Sequence, residues 1–224
     1  INSANSFFLY DKDNNLFQNN GKNEWVKLKN ISPHLIDATI AIEDKNFYHH
    51  QGFDYPRILK AVYVNLTHGK IVQGASTITQ QYAKNLFLDF DKNFQRKIDE
   101  AWLTMRLETH YSKDEILEGY LNTINYGGIF GIENASQYYF GKNSKDLTLA
   151  EASILAGIPK DPSYYSPISN YNNARRRQEL ILNVMEKNKM ITSEEKKKAL
   201  NTNLVFKTEE EQKNSKMLMY YEDA

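Results

Sequence analysis

The sequence predicts a mainly α-helical fold preceded by a short β extension. Two observations carry this. From Ser32-Pro33 to about residue 200, apolar residues recur at helical spacing in segments separated by glycine and proline. Before that, short apolar runs of strand type stand between polar clusters. With 224 residues and 41% hydrophobic side chains, the chain can bury the core of one large domain, or of one domain with a small lobe.

Residues 1–32 form the extension. Phe7-Phe8-Leu9-Tyr10 and Leu16-Phe17, joined through Asp11–Asn15, read as a hairpin with a polar turn, and Trp25-Val26-Lys27-Leu28 as a second strand-like run. Pro33 in a first turn then opens a helix. Helices are expected over 33–48, 55–68, 76–89, 93–110, 113–122, 131–140, 147–157, 172–188 and 193–200. The breaks coincide with Gly52, Gly69, Gly74, Gly127-Gly128, Gly141 and the stretch from Pro159 to Pro167. No internal repeat is visible. Residues 33–200 thus read as the main domain. Residues 201–224, with Glu209-Glu210-Glu211 and Met217-Leu218-Met219-Tyr220-Tyr221, read as a linker toward a further domain. An opening Ile1 in place of Met reads as a piece of a longer protein, with a membrane anchor expected upstream.

Composition excludes some functions. The 28 basic and 28 acidic residues balance, which argues against a general nucleic-acid binder. There is no cysteine, so neither disulfides nor thiolate metal sites are available. No apolar run approaches transmembrane length. A zinc-binding His-Glu-x-x-His helix and a Gly-x-Ser-x-Gly elbow are both missing, and His49-His50 lack ligand spacing. Ser193-Glu194-Glu195-Lys196 fits a Ser-x-x-Lys pattern, but it sits in a charged helix without companion motifs. Fifteen tyrosines and eleven phenylalanines serve either a core or a groove for sugars or lipid.

The stretch from Glu43 to Asp54 is the most unusual. Ile36, Ile40 and Phe47 recur on one helical stripe, and Glu43 falls on it. A carboxylate on a buried face is costly unless it is paired or has a task. Burial disfavours its charged form, which suits a general acid or base. Asp44, one position on, points about 100° around the helix and fits a polar network equally well.

A second stretch, Gly74 to Asn85, is a loop entering a helix, with Thr77-Ile78-Thr79-Gln80 in capping-box spacing. Thr77, Gln81 and Lys84 share one face, and Ile78, Tyr82 and Leu86 another. Two readings stand side by side: an ordinary capped helix, or an oxyanion site built from a helix N-terminus, hydroxyls and a lysine. In the third stretch Arg96 and Glu100 are i,i+4 partners. They form either a solvated ion pair or, with Lys97, a phosphate site beside a second carboxylate. The fourth runs from Lys113 through Glu118-Gly119-Tyr120 to Gly127-Gly128 and on to Gly141-Lys142. The fifth, Leu147 to Pro159, reads as a buried core helix.

Taken in order, these stretches resemble the peptidoglycan glycosyltransferases, the family of monofunctional transglycosylases and of the N-terminal half of class A penicillin-binding proteins. The resemblance covers roughly residues 33–185. Its carriers are Glu43-Asp44, Phe47, His50, Gly52 and Asp54; Gly74, Ser76-Thr77-Ile78-Thr79-Gln80-Gln81 and Lys84-Asn85; Arg96-Lys97 and Glu100. Further on come Ile116-Leu117-Glu118, Tyr120-Leu121-Asn122, Gly131-Ile132, Tyr139–Lys142, Leu149-Ala150-Glu151, Ile158-Pro159, Pro162 and Arg175-Arg176-Arg177. The sequence departs from the family pattern at Gly119 and at Asn134-Ala135-Ser136.

The resemblance implies a lysozyme-like helical head lobe and a smaller membrane-facing jaw lobe at roughly 55–75. It implies polymerisation of lipid II on the extracytoplasmic face of a bacterial membrane. On that reading Glu43 is the general base, and Glu100 a second carboxylate. Lys84, Arg96 and Lys97 stabilise the leaving pyrophosphate, helped by a divalent cation, Mg²⁺ or Mn²⁺, held mainly by the pyrophosphate itself. Asp44, Phe47, His50, Ser76, Thr77, Gln80, Gln81 and Asn85 join those cations as substrate-binding candidates. Expected partners are lipid II, the growing glycan strand, the membrane surface, moenomycin-type inhibitors and other cell-wall synthesis proteins. Two competing readings are a muramidase or lytic transglycosylase and a non-catalytic wall-binding domain. The cation-rich second and third stretches speak against the first, because a hydrolase has no pyrophosphate to stabilise.

Overall fold

Ser32 and Pro33 start the first helix where the sequence places it, because proline's missing N–H costs nothing in a first turn. In the computed structural model, residues 24–69, 74–86 and 94–207 are described. Among them the helices are α1 (Pro33–Glu43), α2 (Tyr55–His68), α3 (Ile78–Leu86), α4 (Phe94–His110), α5 (Lys113–Thr123), α6 (Ile132–Phe140), α7 (Leu149–Leu155), α8 (Tyr171–Lys187) and α9 (Ser193–Asn201). Each matches an expected helix. Capping boxes at Ser112/Glu115, Thr148/Glu151 and Thr192/Glu195 fix the starts of α5, α7 and α9.

Three expectations change. The first helix stops at Glu43 instead of continuing to residue 48, because the Asp44 backbone leaves helical geometry and its carboxylate turns toward α3. Phe47 is buried, but in a short 3₁₀ turn, not on the α1 stripe. The run Trp25–Leu28 forms no strand; its polar groups bond to side chains of α5 instead. Glu118 accepts from Trp25 Nε1 and from Leu28 N, each at 2.8 Å. Asn122 exchanges bonds with Val26 N and O, each at 2.9 Å. The hairpin expected over 7–17 lies outside the described residues. Among those described, the only β pairing is the bridge Asn125–Phe130 across the Gly127-Gly128 turn, where both glycines have positive φ.

The helices pack in two groups. One sets α3 against α4 and α5; the other sets α1 against α7 and α8. Ile116, Leu117, Tyr120 and Leu121 of α5 are buried in a core shared with Leu35 and Ala38 of α1 and Ile154 and Leu155 of α7. The alanine- and leucine-rich α7 is the buried helix that its composition predicts. By contrast, α2 buries only Ala61.

Gly119 explains its own departure from the family pattern. A Cβ there would lie 2.4 Å from Tyr82 Cζ and Oη, so α5 can approach α3 this closely only with no side chain at that point. Gly119→Ala is expected to cost about 1–3 kcal/mol through overpacking against a rigid ring. Chemical denaturation measures this, and wild-type stability in the variant would show that the contact relaxes freely.

Candidate active site

Glu43 is the last residue of α1, where the chain leaves the α1/α7/α8 group and faces α3. Its side chain is 13% exposed. Gln81 Nε2 donates to Glu43 Oε2 at 2.9 Å. Glu43 Oε1 is buried, has no hydrogen-bond partner among the described residues and lies 3.7 Å from the Arg177 guanidinium of α8. Arg177 also stacks over the Tyr165 ring, and Gly157 leaves room for its stem: a Cβ there would meet Arg177 Cγ at 2.8 Å. Arg57, in the first turn of α2, donates to the Glu43 backbone carbonyl. One carboxylate oxygen is therefore anchored by an amide, and the other is buried beside a cation.

Asp44 holds this arrangement from behind. It is 1% exposed and accepts from Ile78 N at the start of α3, 3.0 Å away. His50 Nε2 lies 3.0 and 2.9 Å from its two oxygens, so the nitrogen facing an ionised carboxylate carries the proton. A carboxylate at a helix N-terminus satisfies an orphan N–H and meets the positive end of the dipole. The loop before α3 closes with the expected capping box: Thr77 N donates to Gln80 Oε1, and Gln80 N to Thr77 Oγ1. Asp54 caps α2 by accepting from Arg57 N. Burial pushes the Asp54 carboxyl up, but the bonds from Asn46 and the Arg57 N–H, with the charges of His50 and Arg57, bring it below the ordinary range.

These elements enclose a cavity of about 400 Å³. Glu43, Glu100, Ser76, Gln80, Gln81, Lys84 and Lys97 line it, together with Arg57, Lys160 and Arg177. Glu43, Lys84 and Glu100, far apart in sequence, thus meet at one site. Five cations face two carboxylates there, although the chain as a whole is neutral. Glu100 is buried and pairs with Lys97 Nζ at 2.7 Å.

Five residues expected to meet substrate do not line the cavity: Asp44, Phe47, His50, Thr77 and Asn85. Thr77 is fully buried and its hydroxyl donates to Gly52 O at 2.7 Å. Phe47 is a core ring, packed edge-on to His50 and covered by the Lys113 ammonium. Asp44 and His50 bond to each other. These groups brace the site without touching its interior. The Arg96 side chain, and with it the i,i+4 pairing expected with Glu100, lies outside those described; Glu100 pairs with Lys97 at i,i+3.

Sequence reasoning left Arg57, Lys160 and Arg177 out of the site. Arg177 ends the run Arg175-Arg176-Arg177, and spacing along a helix could have separated it: Arg175 instead bonds Gln178 and the Leu200 carbonyl. Arg57 and Lys160 carry no local signal, since both reach the cavity through turns that the fold positions. Among the described residues, no group of three or more His, Cys, Asp or Glu side chains is placed to hold a metal ion.

A family model described as Transglycosylase matches residues 12–186. Penicillin-binding protein 2D of Bacillus subtilis is 52% identical over 203 residues, covering 90% of this chain and 29% of that protein. Penicillin-binding protein 1A of Aquifex aeolicus is 43% identical over 210 residues, covering 92% and 29% respectively. The chain therefore spans under a third of the length of these relatives. A crystal structure of penicillin-binding protein 1A from Haemophilus influenzae superposes with a TM-score of 0.51 at 26% identity, covering 89% of this chain and 20% of that one. The mainly α, lysozyme-like fold agrees with that neighbour.

Proposed function

Because this chain belongs to the transglycosylase family, we propose that it polymerises lipid II into peptidoglycan glycan strands, with Glu43 as the general base. The observation that carries this reading is the single cavity joining an anchored carboxylate to five cations. The Glu43 carboxylate, which lines the cavity, takes the proton from the acceptor sugar's 4-hydroxyl. The freed oxygen attacks the donor's anomeric carbon from the face opposite the pyrophosphate, inverting α to β. Undecaprenyl pyrophosphate departs with the bonding electrons, and charge builds on its oxygens. Lys84, Lys97, Lys160 and Arg57 supply the fixed positive field that this charge needs, with Arg96 as a further candidate. Glu100 holds Lys97 in place.

A divalent cation, Mg²⁺ or Mn²⁺, belongs to this reading as a companion of the pyrophosphate oxygens, where it would neutralise charge. The cavity's donors are mostly cations and amides and build no cage for it, so the roles above rest on side chains alone. The α2 stripe of Tyr55, Leu59, Val62, Tyr63 and Leu66, each 51–76% exposed, supports a jaw lobe lying against the membrane surface that delivers the lipid substrate. Among the described residues no helix is long and apolar enough to cross a membrane. The extracytoplasmic face of a bacterial membrane, other cell-wall synthesis proteins and moenomycin-type inhibitors complete the proposed setting.

Incubation with lipid II in one arm and finished peptidoglycan in the other tests the function. Polymer growth from lipid II is expected. Release of soluble muropeptides without polymer would identify a hydrolase or lytic enzyme instead. In the same assay Lys84→Ala is expected to slow turnover on the order of tenfold. That is less than the ~10²-fold loss of a lone oxyanion donor, because other cations share the charge. Unaltered kinetics would remove Lys84 from the site.

A further inference from the structure

Behind Gln81 lies a buried tyrosine that the mechanism above does not use. Tyr120 of α5 is 1% exposed, and its hydroxyl donates to Gln81 Oε1 at 3.2 Å. Gln81 Nε2 in turn donates to Glu43 Oε2 at 2.9 Å. We propose that Tyr120 is a positioning residue for the general base: its hydroxyl fixes which way the Gln81 amide faces, and thereby keeps an N–H, not a carbonyl, on Glu43 Oε2.

The argument is one of donors and acceptors. An ionised carboxylate accepts only, so the Gln81 amide must present its NH₂ to Glu43 and its carbonyl to the other side. In a flipped amide the carbonyl would face Glu43 Oε2, oxygen against oxygen. A glutamine in an open cavity has no intrinsic reason to choose the productive orientation. A buried hydroxyl behind it, with one proton to place, supplies that reason. Burial first, then the charge of Glu43, Tyr126 and Asp44, push the Tyr120 phenol well above its ordinary value, so the proton stays available to donate. The placement also depends on Gly119: without its close approach to Tyr82, α5 would stand farther from α3.

Glu43 is faced by other charges from every neighbouring element. They are Arg177 of α8, Arg57 of α2, Lys84 of α3, Lys97 and Glu100 of α4, Lys160 of the 3₁₀ turn after α7 and the adjacent Asp44. The phenols of Tyr120 and Tyr126 also feel its charge. Replacing Tyr120 by Phe removes one hydroxyl and changes none of those charges, so a lower kcat reports on the amide.

The proposal rests on the lipid II polymerase reading, and its test separates the two. Wild-type protein that builds no polymer sinks that reading. If the wild type polymerises, Tyr120→Phe is expected to lower kcat roughly three- to tenfold with KM for lipid II unchanged, the scale of one hydrogen bond. In ¹⁵N-labelled protein the Gln81 side-chain NH₂ signals should shift in Tyr120→Phe without any turnover, because the amide has lost the hydroxyl that orients it. Gln81→Met removes the link from its cavity end, and Tyr120→Phe added to it should cause no further loss in kcat. An additive loss in the double variant, unmoved Gln81 amide signals, or kcat and KM changing together with a falling Tm would each overturn the relay.

Discussion

Glu43→Gln is expected to reduce polymerisation of lipid II by about 10²- to 10⁴-fold, the range supplied by a positioned general base. Lipid II binding should persist. The amide has nearly the carboxylate's shape and can still accept from Gln81 Nε2 through its own oxygen, so neither the cavity nor its cations are disturbed. What disappears is a group able to take the acceptor's proton. Turnover on lipid II, set beside a direct binding measurement and a melting curve, separates loss of chemistry from loss of fold. Wild-type turnover in the variant would remove Glu43 from the mechanism and favour a binding domain.

Asp44→Ala is expected to be the most destabilising single change, at about 3–5 kcal/mol, because removing one partner of a buried polar network leaves the others unsatisfied. The Ile78 N–H, the His50 ring and the nearby Arg57 guanidinium would all face an empty, water-poor space. For a domain of this size the corresponding fall in Tm is about 6–20 °C. Activity should fall with it, since α3 carries Gln81 and Lys84 and its first N–H is tied to this carboxylate. Asp44→Asn, which keeps an acceptor for Ile78 N, should recover part of the stability. A variant Asp44→Ala that melts and polymerises like the wild type would show that the clamp between α1 and α3 is dispensable.

Much of the fold was legible before any coordinates, and the reason is local. Helices announce themselves through period, caps and breakers within a dozen residues, so Pro33 and the glycine-marked ends could be read in line. The capping box at Thr77 was equally readable. The extended run at Trp25 was misread because its hydrogen-bond partners, Glu118 and Asn122, lie more than 90 residues away. A strand and a strap across a helix look alike until those partners are known.

The candidate site divides along the same line. Glu43 stood out as a carboxylate on an apolar stripe; Lys84, Lys97 and Glu100 were one of two readings of their stretches until the family resemblance favoured it. Their meeting in one cavity, and the addition of Arg57, Lys160 and Arg177, required the packing of α1, α3, α4 and α8. Roles also moved: Thr77, Phe47, His50 and Asp44 became supports once burial was known. Residue types and their periods specify which helices form and which side chains are chemically able. Which of those side chains share a space, and which face away from it, depends on contacts between segments far apart in the chain. A hydrogen bond such as that from Tyr120 to Gln81 leaves no trace in the local pattern of either helix.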